Sequence, residues 1–460
     1  MNNRFLITQK QLKTFMIAFV LKLLYEISIQ LLLPERYLLW SFNKNINWEN
    51  LIIEMSIFLL VSLYFCMNFC DISPFNFFST ILFVMYFIPT NSSLVLSNVT
   101  MDYYILSNIF ASILFLVLGY LTSSDKRRIL KHESDNSQTK GDIIDNIIDL
   151  PAVWLVVRMI CILVCLATLL YVYKYNGLNL VSLFNDMYSV RSEYASYASN
   201  MTGSLSSYLT LIVTRLGGWI LPLYLYFALK KKKLFDIGFS IFTFIANFTV
   251  EMQKNSLMIV FIVIGIVCIE KCKKINNISI YVLYLFAIMI LISLCEYWRN
   301  GESVIFTTFI RRMFYIPAYM NEKYYQFFVL HKKIFFTQDA FFIQNILQKL
   351  FGRAYGESSV AVISRVCFNG ELPSPNTGLF AEAYSQLGIL GVGIFPFIYG
   401  YVAKAIYKVA NFYGRGALYV IFFKLALTMV SVFTLTSSTF VGILLFIGVT
   451  IFAQILSKSV

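Results

Sequence analysis

The feature that most limits what this chain can become is a series of apolar runs, each roughly 18 or more residues long, recurring along its length. A run of that length crosses a ~30 Å hydrocarbon core as one helix. The composition agrees: 58% of the 460 residues are hydrophobic and 13% are charged, with mean hydropathy +0.71. A transmembrane β-barrel would instead alternate apolar and polar residues in segments of about ten, and this sequence does not. An all-α polytopic membrane protein is expected.

About twelve spans of bilayer length can be marked. They fall at 14–33, 51–70, 75–89, 103–121, 153–173, 208–229, 234–250, 257–269, 279–297, 387–403, 417–433 and 441–455, the third being rather short. If the N-terminus is cytoplasmic, every even span ends inside. The basic clusters then fall into place, because 126–131, 230–233, 271–274, Lys404 with Lys408, and Lys458 all follow even spans. The formal net charge of +13 is therefore a positive-inside signature, and not a face for nucleic acid. Both termini are expected in the cytoplasm. The opening Met-Asn-Asn-Arg-Phe runs into a span with no small-residue cleavage site, so it reads as a retained first helix.

This topology divides the chain into N-terminal membrane helices (1–122), a charged cytoplasmic linker (123–150), and a second group of membrane helices (151–297) interrupted by an outer loop at 176–207. A large outer loop follows at 298–384, and a last group of helices at 385–460. The eight cysteines lie mostly in apolar runs, among them Cys66, Cys70, Cys161, Cys165 and Cys268, and read as small buried hydrophobes. With only His132 and His331 present, a histidine-built metal site is not expected.

The loop 298–384 carries more Lys and Arg than acid on the side of the membrane where they are normally sparse. Two readings stand: long loops are partly exempt from the charge rule, or the loop meets an anionic ligand. Next to a membrane the natural anion is phosphate or pyrophosphate on a lipid carrier, which the planar guanidinium fork fits. The stretches 306–315 and 324–336 interleave Phe and Tyr with charges. They are expected to form short amphipathic helices lying in the interface, as a cap over the membrane helices.

Candidate functional residues follow from charge and position. Arg191 sits in the outer loop 176–207, and Lys254 at an outer turn just past Glu251. Arg215 lies inside the sixth span, where a charge needs a partner or a hydrated cavity; a structural Arg–Glu pair and a bound ligand explain it equally. Arg158, Lys22, Glu26 and Lys424 are weaker candidates, since snorkelling or pairing between helices suffices. Arg311 and Arg312 precede Ile316-Pro317-Ala318, and adjacent helical residues point about 100° apart. One Arg would face a cavity while the other anchors on headgroups. Pro373-Ser-Pro-Asn376-Thr-Gly378 is turn chemistry leading into Glu382 and Tyr384 at the mouth of the tenth span, with Gly388, Gly391 and Gly393 allowing close helix packing. Glu382 is a general base of raised pKa, or it simply favours a helix N-terminus.

Taken in order, Arg191…Gly203, Arg311-Arg312…Pro317-Ala318…Tyr324-Tyr325…Phe327-Phe328 and Asn376-Thr-Gly378…Glu382-Ala-Tyr384…Gly388…Gly391 resemble the O-antigen and oligosaccharide repeat-unit polymerases of the Wzy type. The likeness covers most of the chain from Arg191 onward. It implies a GT-C-like membrane glycosyltransferase in the bacterial plasma membrane, working without a metal or other cofactor. Its substrate would be an undecaprenyl-pyrophosphate-linked oligosaccharide, with membrane lipids, a chain-length regulator and a flippase as further partners and no nucleic acid. The leaving pyrophosphate needs positive charge, for which Arg191, Arg215, Arg311, Arg312 and Lys254 are the candidates. Glu382 would take the acceptor's proton, with His331 as understudy, while Tyr324, Tyr325, Asn376 and Tyr384 would contact sugar.

Three alternatives remain. An O-antigen ligase shares the layout and would use a histidine in the large outer loop, where His331 stands. A lipid-linked oligosaccharide flippase should have short, even loops and two similar halves, which this sequence lacks. A non-enzymatic factor in surface-polysaccharide assembly is the third.

Overall fold

The computed structural model describes residues 8–33, 47–69, 73–97, 99–132, 154–155, 157–163, 165–166, 205–251, 254–272, 278–337, 344–369 and 377–459. Among these residues all regular structure is helical. In chain order the helices are α1 (Gln9–Leu32), α2 (Trp48–Phe69), α3 (Pro74–Leu96), α4 (Met101–His132), α5 (Leu205–Lys230), α6 (Leu234–Glu251), α7 (Lys254–Lys271) and α8 (Ile278–Asn300). There follow α9 (Phe306–Tyr315), α10 (Ile316–Leu330), α11 (Gln344–Phe351), α12 (Ser359–Phe368), α13 (Phe380–Leu387), α14 (Ile389–Ala410), α15 (Arg415–Ser431) and α16 (Ser438–Ser459).

Six helical stretches among the described residues are long and apolar enough to cross a membrane: α1, α2, α3, Met101–Ser123 of α4, α8, and Ile389–Tyr413, which begins with α14. Helices also occupy the positions of the other spans expected after residue 205, including shorter apolar stretches at Leu234–Ile245 and Thr439–Ile455. The molecule is a helical membrane protein.

The chain forms two compact units. Unit 1 comprises Met1–Arg128, Asn276–Lys404 and Ala426–Thr434; unit 2 comprises Ile129–Ile275, Ala405–Leu425 and Leu435–Val460. Unit 1 thus groups the first four helices with the stretch that follows α8. In unit 1, α1 lies against α2 and α8, and α3 lies against both α2 and α8. In unit 2, α5 packs against α6, α7 and α16.

Local sequence accounts for the ends of these helices. Thr8 and Gln11 form a reciprocal capping box at the start of α1. Ser73 caps α3, with Pro74 in the first turn where its missing N–H costs nothing. α3 was expected to stop at Pro89. It continues to Leu96 because a π-helical turn at Phe83–Phe87 absorbs the proline, and because Thr90, Asn91 and Ser92 are buried among polar neighbours. The ring of Phe83 stacks 4.3 Å from Phe65, Phe87 stacks on Phe58, and Phe115 of α4 meets Phe83 edge-on. This aromatic cluster is the core of unit 1.

Three further expectations change. The linker assigned to 123–150 begins as helix, since α4 runs to His132; its remainder lies outside the described residues. The tenth span, expected at 387–403, is α14, but Glu382 does not open it: Glu382 lies on the separate α13, and Gly388 with φ +61° stands between the two helices. Where short amphipathic helices were expected at 306–315 and 324–336, helix runs through α9 and α10 and ends at Leu330. α9 passes directly into α10, and Phe306, Ile310, Phe314, Met320, Tyr324 and Phe328 are buried. Phe314 packs on Tyr25 of α1 and Phe286 of α8, and Tyr325 on Tyr103 of α4. These aromatic residues pack on protein neighbours. In α11, Ile346, Leu350 and Phe351 are exposed.

Candidate functional site

The polar stretch after α8 folds so that its two ends meet. Pro317, in the first turn of α10, cannot donate the hydrogen bond that would continue an ordinary α-helical ladder, and the preceding turns of α9 are π-helical. Arg311 and Arg312 lie on those turns. Arg311 is buried, its Nε donating to the Thr307 carbonyl at 3.4 Å; Arg312 is half-buried.

From the other end, the Thr377 hydroxyl reaches α10. It lies 3.0 Å from both the Pro317 carbonyl and Asn321 Oδ1. Asn321 Oδ1 also accepts the Ala381 N–H at 3.2 Å. One asparagine therefore ties the start of α13 to the turn of α10 that follows the two arginines. Gly378 is required at this junction, because a Cβ there would stand 1.9 Å from the Met429 carbonyl oxygen and 2.5 Å from that of Val432. Leu379 holds φ +48°, a conformation that L side chains rarely adopt, just ahead of α13.

Glu382 sits in the first turn of α13 with no solvent exposure. Its Oε2 accepts the Tyr399 hydroxyl at 2.5 Å and the Thr434 N–H at 2.9 Å. The carboxylate thus holds the chain just beyond α15 against α13 and α14. Glu322, the residue after Asn321, is a second buried carboxylate, 3% exposed. Its Oε1 accepts from Gln326 Nε2 at 2.8 Å, while its Oε2 is buried with no hydrogen-bond partner among the described residues. Burial raises the Glu322 carboxyl above its ordinary range, and Lys323 opposes that shift.

The tyrosines expected to stack on sugar are covered by protein. Tyr324 is fully buried against Phe328 and Phe433. Tyr325 and Tyr384 lie 4.9 Å apart, with Phe380 stacked on Tyr384. The Lys333 ammonium lies 4.8 Å from the Tyr384 ring centroid and donates to the Phe328 carbonyl. Burial lowers the Lys333 pKa and pushes the Tyr384 hydroxyl up to about 12. His331 is exposed, stacked 4.1 Å from Phe327, with Nδ1 2.8 Å from that residue's carbonyl.

Arg311, Arg312, Tyr324, Tyr325, His331, Glu382 and Tyr384 thus all belong to unit 1. Arg215 and Lys254 belong to unit 2, the first half-buried on α5 and the second opening α7. Arg191 and Asn376 lie outside the described residues.

Sequence reasoning missed Glu322, whose only signal was its place one helical turn past Arg311-Arg312…Pro317. It also undervalued Lys22 and Glu26. The Lys22 ammonium is buried, 2.5 Å from Glu54 of α2, 2.6 Å from Glu26 and 2.6 Å from the Ser92 hydroxyl of α3. The Val95 N–H donates to Glu54 Oε2, and Asn91 Nδ2 to the Glu54 carbonyl and the Tyr104 hydroxyl. The visible trace was a Lys and a Glu at i and i+4 in one apolar run, with another Glu in the next.

Among known proteins, no family, no curated protein and no solved structure matches the chain.

Proposed function

We propose that this protein polymerises undecaprenyl-pyrophosphate-linked oligosaccharide repeat units into surface polysaccharide at the outer face of the bacterial plasma membrane. The growing chain leaves its carrier and joins the non-reducing end of a fresh lipid-linked unit. Departure of the pyrophosphate builds negative charge, and Arg311 and Arg312 are the candidates to offset it. The observation that supports this reading best is the junction of Thr377 with Pro317 and Asn321. The motifs of the resemblance that lie sixty residues apart in sequence form one hydrogen-bonded unit beside two arginines, as a single site would need.

Deleting the gene and resolving the surface polysaccharide by size tests the proposal. A ladder that collapses to one repeat unit on its anchor is the expected result. Complete loss of anchored sugar would overturn it; carrier-linked chains accumulating in that case would point to a ligase, and their absence to a flippase.

A further inference from the structure

The two buried carboxylates at the junction are placed alike in the chain and treated differently by their surroundings. Glu322 follows Asn321 and Glu382 follows Ala381, and Asn321 and Ala381 are hydrogen-bonded to each other. Glu382 Oε2 already takes two hydrogen bonds, one from a hydroxyl and one from a backbone N–H. Those two donors occupy the oxygen and hold the carboxylate in place. Glu322 has one oxygen held by Gln326, while its Oε2 is buried with no donor among the described residues. A buried carboxylate oxygen without a donor is costly and calls for a water or a ligand hydroxyl to fill it. Glu322 is also close to the surface, since Gln326, one turn further along α10, is exposed.

We propose that Glu322, through Oε2, accepts the proton of the acceptor sugar's hydroxyl during glycosyl transfer, an inference that rests on the polymerase reading above. The acceptor oxygen attacks the anomeric carbon of the growing chain and forms the new glycosidic bond. The bond from that carbon to the pyrophosphate oxygen breaks, and its electron pair leaves with the carrier. The hydroxyl proton passes to Glu322. Gln326 fixes the carboxylate from the other side, and Lys323 in turn donates to Gln326 Oε1 at 3.2 Å. The titratable groups around Glu322 are Lys323 on its own helix, Tyr315 on α9 and Tyr103 on α4. Glu382 is the positioning residue of the pair.

The test uses the purified full-length protein in proteoliposomes, supplied with the undecaprenyl-pyrophosphate-linked repeat unit of its host. Chain growth is followed by gel across a pH series. Wild type is expected to extend chains, with a rate that falls toward acid as Glu322 becomes protonated. Glu322→Gln should enter the membrane normally, still bind the lipid-linked unit, and extend chains about 100-fold more slowly or worse. Gln326→Leu removes a hydrogen bond to the charged carboxylate and should move the acid limb to higher pH. If wild type extends chains and Glu322→Gln does so equally fast, the Glu322 assignment is wrong and the polymerase reading survives. Should Glu322→Gln fail to fold, the Gln326→Leu limb decides, and an unmoved limb overturns the assignment. If wild type itself extends nothing, the polymerase reading falls and this proposal with it.

Discussion

Lys22 and Glu54, carried by different helices, meet at 2.5 Å with neither side chain exposed. Glu26, one turn along from Lys22, completes a buried triad. Removing one member of such a group strands the others without water, a loss of about 3–5 kcal/mol. Lys22→Met should therefore lower the unfolding temperature in detergent sharply, and Lys22→Met with Glu54→Gln should recover part of it. A Lys22→Met protein that melts like wild type would show that the triad does not hold α1, α2 and α3 together.

Tyr399 and Glu382 make a different prediction. The hydroxyl donates to a buried carboxylate, a bond worth about 1.5–3 kcal/mol. Tyr399→Phe should lose stability of that order while chain growth at low temperature persists, because Glu382 is assigned to positioning. A fully stable Glu382→Gln protein that had lost its chemistry would return Glu382 to the role of base.

Glycine requirements can be read position by position. Gly378→Ala would drive a methyl group into the Met429 and Val432 carbonyl oxygens, and Gly391→Ala into that of Ala383, 2.0 Å away. These are backbone atoms that cannot rotate aside, so each change should cost about 3 kcal/mol or more. Gly393 lies in α14 with nothing within 4 Å of a new Cβ. Gly393→Ala should be neutral or gain about 0.5–1 kcal/mol. Thermal melts of the three purified variants give the comparison.

Helix existence was legible in the sequence because span length is a property of composition: α1, α2, α8 and α14 lie where apolar runs of sufficient length lie. Depth was not. The rings of Phe306, Phe314 and Tyr325 suit an interface and a protein core equally, and only the positions of Tyr25, Phe286 and Tyr103 decide between them. Likewise, Thr90-Asn91-Ser92 read as the end of a span because their partners, Glu54 and Tyr104 among them, come from other helices. The candidate site was half legible. Turn chemistry and paired arginines marked its two ends, but the bond from Thr377 to Asn321 joins residues too distant for any local pattern to reveal. Glu382 and Glu322 look alike as letters, and the difference between them lies in what donates to their oxygens.

Arg311 and Arg312 supply the last prediction. Arg311 is buried and Arg312 half-buried, so only the first is held in a low-dielectric setting where a guanidinium acts strongly on a departing pyrophosphate. Arg311→Lys keeps the charge but loses the planar fork that grips two phosphate oxygens at once, and its shorter reach misplaces what remains. Arg311→Ala and Arg311→Lys should each reduce chain growth about 100-fold or more. Arg312→Lys should retain most of it, because a half-exposed cation acts chiefly as a point charge. Arg191 lies outside the described residues and is proposed for the pyrophosphate on the resemblance alone; Arg191→Ala should abolish growth as well. All four proteins should enter the membrane at wild-type levels, which separates lost chemistry from lost folding. The readout is the length distribution of the surface polysaccharide in a deletion strain carrying each variant. Full-length ladders from both Arg311→Ala and Arg191→Ala would remove the case for arginine capture of the carrier.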